Sequence, residues 1–384
     1  MTLSCNACRQ ALSTLVYESI DDSSITTMNT QLAGKTRVFF CEHCGHLQTA
    51  ELFDQAAYYA DEYDINSKDE DEDQLYKIVD GKPVFRADHQ LAVLRSKVDF
   101  SGACKVLDFG CAKAPTLRKL MAEFPDIEPH LYDLTDRYVP FWKKFPRAAQ
   151  YSVATIPAQW RDTMDVVLSF YALEHAADLT SAFAAVNAQL KPDGVFYFVV
   201  PNVFTNVADL IVADHPNHFS ETSLTYALEA AGFDRVEVDG LAHDGAYCVR
   251  ARKAVAPAPA HFPADVQDIK ATALEMGQYW RDASDRVRAY ETAHAGKGPL
   301  AIYGAGFYAN FLLSCLADPS AVVCLIDRNV QLQGTRVQGK PVIAPEELPQ
   351  GLGGLLVGLN PRIARQAIGE IDSWDISGLA PFFL

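Results

Sequence analysis

No apolar run in the chain approaches the roughly 18 residues that a membrane-crossing helix needs, and the N-terminus has no basic region leading into an apolar core. A membrane-spanning or secreted protein is therefore not expected. The expected location is the cytoplasm. Positive charge is scarce: 33 Lys and Arg stand against 49 Asp and Glu, a formal net charge of -16. Long-range electrostatics then disfavour nucleic acid and anionic membrane surfaces as partners. A disulfide scaffold is also disfavoured, because nine cysteines in 384 residues do not make the short, secreted, cysteine-dense chain that needs one. The expected partner is a small-molecule substrate, and the sequence does not fix the oligomeric state.

What is present describes real cores. Hydrophobic residues make up 49% of the chain, and 384 residues are enough for two or three domains. The most informative stretch is 106–117, VLDFGCAKAPTL. A β-type apolar run closes in Asp108 and Gly110 and a helical pattern starts near Thr116, which reads as strand, tight turn, helix. Such a turn binds ligands, since glycine permits close approach and φ > 0 while the helix start presents unpaired N–H groups. The later glycines of the sharpest form of this loop are missing, replaced by Ala112 and Ala114.

Two ligand classes use this loop. A dinucleotide puts its pyrophosphate there, whereas S-adenosylmethionine brings a cationic methionine end that an acid can receive. Asp108 favours the second, because a carboxylate repels a pyrophosphate. Asp133 closes the next expected strand roughly 20 residues on, where a carboxylate can hold ribose hydroxyls. With Phe109, Gly110, Cys111, Ser169 and Tyr171, these acids form the expected cofactor site. Cys111 is not given a nucleophilic role, because methyl transfer from a sulfonium needs no covalent enzyme intermediate.

Cys5-x-x-Cys8 and Cys41-x-x-Cys44 are paired knuckles of the type that offers four thiolates to a tetrahedral zinc ion. Four cysteines close the coordination sphere, so the expected role is structural. A strand over 36–40 fits between the knuckles, and His43 and His46 read as neighbours rather than ligands. The segment 51–86 that follows is rich in tyrosine. Tyr58, Tyr59 and Tyr63 are expected to pack this module, with a phenol reaching the active site as the sharper alternative. The acidic run 69–73 reads as solvated.

From Asp88 a helical pattern leads into alternating strands and helices, expected at 105–109, 130–132, 166–170 and 195–200. The fold class is α/β, a doubly wound sheet of the class I methyltransferase type, between a small zinc-binding domain and a second Rossmann-like domain. The expected divisions are 1–57, a connecting segment 58–90, the cofactor domain 91–254, a linker and helix 255–295, and a final domain 296–384. Strands over 235–239 and 246–251 close the sheet as an antiparallel pair, Gly232 caps the helix before them, and 266–290 is a helix.

In such sheets ligands sit beyond the carboxyl ends of the strands. There the chain places Ser169, Tyr171, Glu174 and His175, then Asn202, Asp214, His215, Asn217 and His218. On an α-helix Glu174 and His175 would diverge by about 100°, letting at most one face the cleft. The stretch 213–220 is expected to be a loop lid, since Pro216 argues against a continuous helix. His215 is the expected base, oriented by Asp214, with Tyr63 or His218 donating to an oxyanion. Asn202 and Asn217 are expected substrate binders. A second strand-turn-helix at Leu300 carries Gly304 and Gly306, with Asp327 roughly 20 residues later, a dinucleotide-like fingerprint that either holds a nucleotide or packs without one.

Taken together, the knuckles in CEHCGHLQ, the D-x-G loop, LEH, DHPNHFS and the terminal IYGAG resemble the zinc-containing sugar C-methyltransferases of bacterial deoxysugar biosynthesis. The resemblance covers nearly the whole chain. It implies S-adenosylmethionine as cofactor and a nucleotide-linked keto-sugar as substrate, held between the middle and last domains. The family's Tyr-x-Glu-His loop corresponds to Val212, Asp214 and His215, keeping the histidine, shortening the acid and lacking the tyrosine. A family tyrosine in a Tyr-x-x-x-Ser context looks like Tyr63 before Ser67. The rival readings are an NAD-linked sugar oxidoreductase using the Gly304 loop and a non-catalytic nucleotide-binding scaffold. Against the former, no Tyr-x-x-x-Lys pair is placed to work with Gly304.

Overall fold

The computed structural model describes residues 3–371 and 376–384, apart from 21, 54–57, 59–72, 80, 81, 103, 257 and 377. Tyr59, Tyr63 and most of the acidic run lie outside the described residues. Tyr58 is buried with its ring 5.1 Å from that of Phe53.

Two compact units divide the chain. The first comprises Met1–Thr14, Phe39–Leu210 and His215–Ala273, and the second Leu15–Val38, Ile211–Asp214 and Leu274–Leu384. The single module 1–57 read from sequence is thus split, because Leu15–Val38 groups with segments far along the chain. No local pattern encodes such contacts. All four knuckle cysteines belong to the first unit.

Strand β1 (Arg37–Phe40) crosses the division of the chain before Phe39, and β2 (Leu47–Thr49) follows the second knuckle in the first unit. Helix α1 (Arg86–Lys97) leads into β3 (Lys105–Phe109) and α2 (Pro115–Glu123), followed by β4 (Glu128–Asp133) and β5 (Gln150–Val153). Next come β6 (Met164–Phe170), α3 (Leu179–Gln189), β7 (Leu190–Pro201), β8 (Asn217–His218) and α4 (Glu221–Ala230). The antiparallel β9 (Phe233–His243) and β10 (Ala246–Lys253) complete it.

Seven of these strands form one sheet in the order β5-β4-β3-β6-β7-β10-β9. The first five are parallel, and β10 runs antiparallel to β7 and β9. Nearly unbroken burial along β6 and β7 is what a parallel sheet covered on both faces requires. One face packs Phe183, Phe196, Phe198, Leu224 and Leu228 together with the four cysteines. The other packs Leu94, Leu117, Leu120 and Trp142 from the flanking helices.

The chain builds β3, β4 and β5 outward, then returns to lay β6 on the other side of β3. This reversal puts the switch point, where ligands of open α/β sheets bind, beyond Phe109 and Phe170. The expected strands, the closing pair and the Gly232 cap (φ 84°, its N–H donated to the Glu229 carbonyl) are all found. The edge strand β5 was not anticipated: it is four residues long and half polar, so it shows no apolar run.

In the second unit, β11 (Leu300–Tyr303), α6 (Phe307–Cys315), β12 (Val322–Ile326), β13 (Arg336–Val337), β14 (Lys340–Ile343), β15 (Gly354–Val357) and β16 (Phe382–Phe383) give a six-stranded sheet ordered β13-β14-β12-β11-β15-β16. It is Rossmann-like, parallel except for β13. The helix expected over 266–290 is α5 (Gln267–His294). Among the described residues no helix is long and apolar enough to cross a membrane.

Candidate active site

The β3–α2 loop keeps the backbone of a glycine-rich turn without its glycines. Gly110 has φ 69°, and Ala112 and Ala114 take φ 44° and 52°. The left-handed region costs alanine about 1 kcal/mol or more that glycine avoids, so tertiary contacts must hold it. Pro115 at the first helical position, where the missing N–H costs nothing, then starts α2. Gly110 itself cannot be replaced: a Cβ there would lie 2.6 Å from the Cβ of Ala172 in the turn after β6. Gly110→Ala is expected to lower affinity for S-adenosylhomocysteine at least about tenfold, measured by calorimetry, since backbone strain and a contact this short displace the loop by more than the ligand tolerates. Wild-type affinity in that variant would show the loop is not the binding element.

Asp108 is fully buried, and among the described residues neither carboxylate oxygen has a hydrogen-bond partner. Burial, then the nearby Asp133, pushes its pKa well above the usual carboxylate range. A buried, orphaned carboxylate is costly unless something pairs with it. The hydroxyl of Ser169, at the end of β6, is likewise buried without a partner. These groups fit a ligand that brings an ammonium and further donors, which is the methionine end of S-adenosylmethionine. Asp133 accepts from the backbone N–H of Ala112 at 2.8 Å and of Thr135 at 3.3 Å, so part of its work is to close the loop. Burial raises its pKa against these bonds. Phe109 packs on Tyr132. Cys111 is buried and its thiol pKa is raised well above normal by burial, which makes it inert. Tyr171 sits at φ 53°, lies under the Arg86 guanidinium at 4.7 Å, and its hydroxyl is 3.3 Å from His243 Nε2.

The turn Leu173–His175 is 3-10 rather than α-helical. This corrects the expectation that only one of Glu174 and His175 faces inward. One ligating atom from each of Glu174, His175 and His215 lies within 4.8 Å of the others. Glu174 is fully buried and its Oε2 has no partner among the described residues. Burial pushes its pKa up to about 8, with His215 opposing.

His215 donates its Nδ1–H to Asp209 Oδ1 at 2.7 Å. Asp209, absent from the sequence reading, therefore takes the orienting place given to Asp214. Burial opposes its ionisation, but His215 and His218 hold its pKa well below the normal value. Asp214 instead accepts from the Thr27 N–H at 2.7 Å and hydroxyl at 2.5 Å. The one available signal for Asp209 was an acid set inside the apolar run VADLIVA.

His218 is corrected as well. It is fully buried, with Nδ1 against Asp209 Oδ2 at 2.9 Å and Nε2 against Thr49 Oγ1 at 2.8 Å, so both ring nitrogens are committed. Nor is 213–220 a lid: every residue in it is buried, and β8 pairs antiparallel with β2 through Asn217↔Gln48 and His218↔Leu47. Asn217 is a structural post. Its side chain donates to the Leu173, Glu174 and Ala176 carbonyls at 3.2, 3.4 and 2.7 Å and accepts from Asn6 Nδ2 at 3.1 Å. Asn202 forms a turn, accepting from the Phe204 N–H at 3.1 Å.

The four cysteines converge. All are buried, with Sγ–Sγ separations of 3.8 Å for Cys5–Cys44 and 3.4 Å for Cys8–Cys41. Zinc–sulfur bonds of about 2.3 Å make a tetrahedral edge of about 3.8 Å, so the cluster is compatible with zinc. In the second unit, Gly304 (φ 99°) is required because a Cβ would lie 2.4 Å from the Gly358 carbonyl oxygen, while Gly306 faces open space. Asp327 accepts from the Ala305 N–H at 2.9 Å, the same loop-closing device that Asp133 supplies to Ala112.

A doubly wound sheet whose switch point carries an orphaned carboxylate over a tight backbone turn defines a class I methyltransferase core. Residues 85–238 match the family model described as a methyltransferase domain. The chain thus carries a methyltransferase domain over these residues. Among solved structures, it is similar to a putative methyltransferase in complex with the Trm112 activator from Haloferax volcanii (18% identity, 44% of this chain and 91% of that one, TM-score 0.39). It is also similar to an S-adenosylmethionine-dependent methyltransferase from Mesorhizobium loti (17%, 43% and 97%, 0.36) and to human N-acetylserotonin methyltransferase in complex with SAM (14%, 43% and 52%, 0.37). No curated protein matches the chain.

Proposed function

We propose that this methyltransferase acts on a small acceptor from which His215 removes a proton. The observation that carries this reading is the buried Asp209–His215 pair beside Glu174, on a turn whose Ala172 abuts the cofactor loop at Gly110. S-adenosylmethionine supplies the methyl group as an electrophilic sulfonium. Asp108 and the β3–α2 backbone bind its methionine end, Asp133 lies where a ribose would reach, and Ser169 offers a further hydroxyl. Asp209 holds the His215 ring and stabilises its cation once the proton has moved. Glu174, with a pKa of about 8, carries its proton near neutrality and can donate to an oxygen that gains charge.

This pairing of base and neutral acid suits an acceptor with a carbonyl beside the methylated carbon. The acceptor class we favour is a nucleotide-linked keto-sugar, methylated on carbon, supported by the sequence resemblance to sugar C-methyltransferases. Asn202 and the Gly304, Gly306 and Asp327 loop are the residues we assign to its recognition. The four cysteines hold a structural zinc ion. Neither the oxidoreductase nor the scaffold alternative is favoured once the methyltransferase domain is recognised.

His215→Asn should lower kcat by about 10² to 10⁴-fold, the span of general-base catalysis, while S-adenosylhomocysteine affinity stays within about threefold, since no cofactor contact is removed. Asp209→Asn should lower kcat less, because it disturbs only the ring's tautomer and orientation. Full turnover by the His215 variant, measured with labelled cofactor and keto-sugar nucleotides, would remove it from the mechanism.

A further inference from the structure

The Glu174, His175 and His215 group offers more than acid–base chemistry. It combines one carboxylate with two imidazoles, the donor set that borderline divalent transition ions prefer. Three features go beyond mere proximity. First, the donor atoms all lie within 4.8 Å, and the His175 and His215 rings meet edge to face at 4.6 Å between centroids. Bonds of about 2.1 Å bring tetrahedral donors to about 3.4 Å apart, a contraction that side-chain rotation supplies. Second, Glu174 Oε2 is completely buried and lacks a partner among the described residues, so an acceptor of electron density is wanting at that oxygen. Third, the Asp209–His215 bond at 2.7 Å is the carboxylate–histidine contact that orients metal-ligating imidazoles.

We infer that Glu174, His175 and His215 form a binding site for a divalent first-row transition ion, distinct from the four-cysteine cluster, and that such an ion inhibits methyl transfer. The inhibition rests on the proposed role of His215. The Nε2 lone pair that would take the acceptor's proton is the one an ion would occupy, so metal and catalysis exclude each other. Glu174, when bound to the ion, likewise loses the proton it would donate. Three protein donors leave at least one coordination position open, and a chelating acceptor would meet the ion there.

The test uses the full chain with its cysteine site loaded, dialysed against Zn²⁺ and, separately, Co²⁺, with bound ions counted per chain. One equivalent beyond that held by the cysteines is expected, and Co²⁺ at this site should show a visible spectrum without thiolate charge transfer. His175→Gln and Glu174→Gln should each weaken the extra equivalent by about tenfold or more. Circular dichroism checks that both variants fold, and the partly exposed His175 makes its variant the safer of the two. Zn²⁺ should slow methyl transfer in the wild type, and a chelator too weak to strip the cysteines should restore it. Absence of an extra ion at millimolar concentration overturns the inference, as does an extra ion that both variants retain. If no ion binds while His215→Asn abolishes turnover, the metal site fails and the proposed function stands. Should the ion bind while S-adenosylhomocysteine does not, the function fails and the site stands.

Discussion

Asp108→Asn is expected to be at least as stable as the wild type at neutral pH and yet to bind S-adenosylhomocysteine about 10- to 100-fold more weakly. The two effects share one cause. In the folded chain this carboxylate is removed from water with neither oxygen partnered and a second acid nearby, so its charged form is disfavoured and its pKa rises well above 3.8. A raised carboxylate pKa means the folded state binds the proton more tightly than the unfolded one. Below about pH 3.8 both states are protonated and nothing is lost. Above it, the unfolded chain releases its proton first, and stability falls as pH climbs toward the folded value. Asparagine carries no charge and escapes this cost, so the variant's advantage in melting temperature should widen as pH rises above about 3.8. The ligand's ammonium is what compensates the carboxylate. A charged hydrogen bond of about 1.5–3 kcal/mol corresponds to the stated loss of affinity. Melting curves at three pH values together with calorimetry decide the matter. A variant less stable than the wild type at pH 8 would mean the carboxylate has a compensating partner in the free protein, and unchanged ligand affinity would take Asp108 out of the cofactor site.

Much of this site was legible because it lies in local patterns. The strand ending in Asp108, the turn at Gly110, the second acid at Asp133 and the two cysteine knuckles are each encoded within a dozen residues, and the sheet follows from alternation of apolar runs. Ala112 and Ala114 weakened the signal without changing the backbone: both adopt the left-handed conformation that glycine would. What escaped depends on contacts far apart in sequence. Asp209 and His215 are six residues apart, but their pairing depends on how the chain turns through Pro216 into β8, and no periodicity reports that. Asn217 and His218 looked like substrate-facing polar groups and are fully buried, because β8 pairs with β2 nearly 170 residues earlier. Polar residues in a loop advertise chemistry, yet here most of them satisfy one another. The convergence of Glu174 and His175 escaped for a different reason, since a 3-10 turn orients adjacent side chains differently from the α-helix assumed.

Those long-range contacts couple the cysteine cluster to the acid–base group, and the coupling sets the second large effect. Cys41→Ser should lose the zinc ion that we propose the four cysteines hold, and lower methyl transfer about tenfold or more, although the cysteines lie outside the proposed cofactor and acceptor groups. The path is short. Asn6, between Cys5 and Cys8, donates its backbone N–H to Gln48 Oε1 at 2.7 Å and its side-chain amide to Asn217 Oδ1 at 3.1 Å. His46, two residues past Cys44, meets the same Asn217 oxygen at 3.3 Å. Asn217 then holds three carbonyls of the turn that carries Glu174 and His175. The Cys44 carbonyl also accepts from Thr222 at the start of α4. Structural zinc supplies folding free energy outright, about 10–16 kcal/mol in isolated fingers, so its loss releases the knuckles and with them the post. Asn217→Ala separates this account from simple unfolding. It should keep the metal, measured as zinc per chain, and keep S-adenosylhomocysteine affinity near normal through Asp108, while losing activity about tenfold because the turn is no longer fixed within the fraction of an ångström that positioning demands. Full activity in Asn217→Ala would sever the link, leaving the cysteine cluster a folding element with no hand in the arrangement of the catalytic turn.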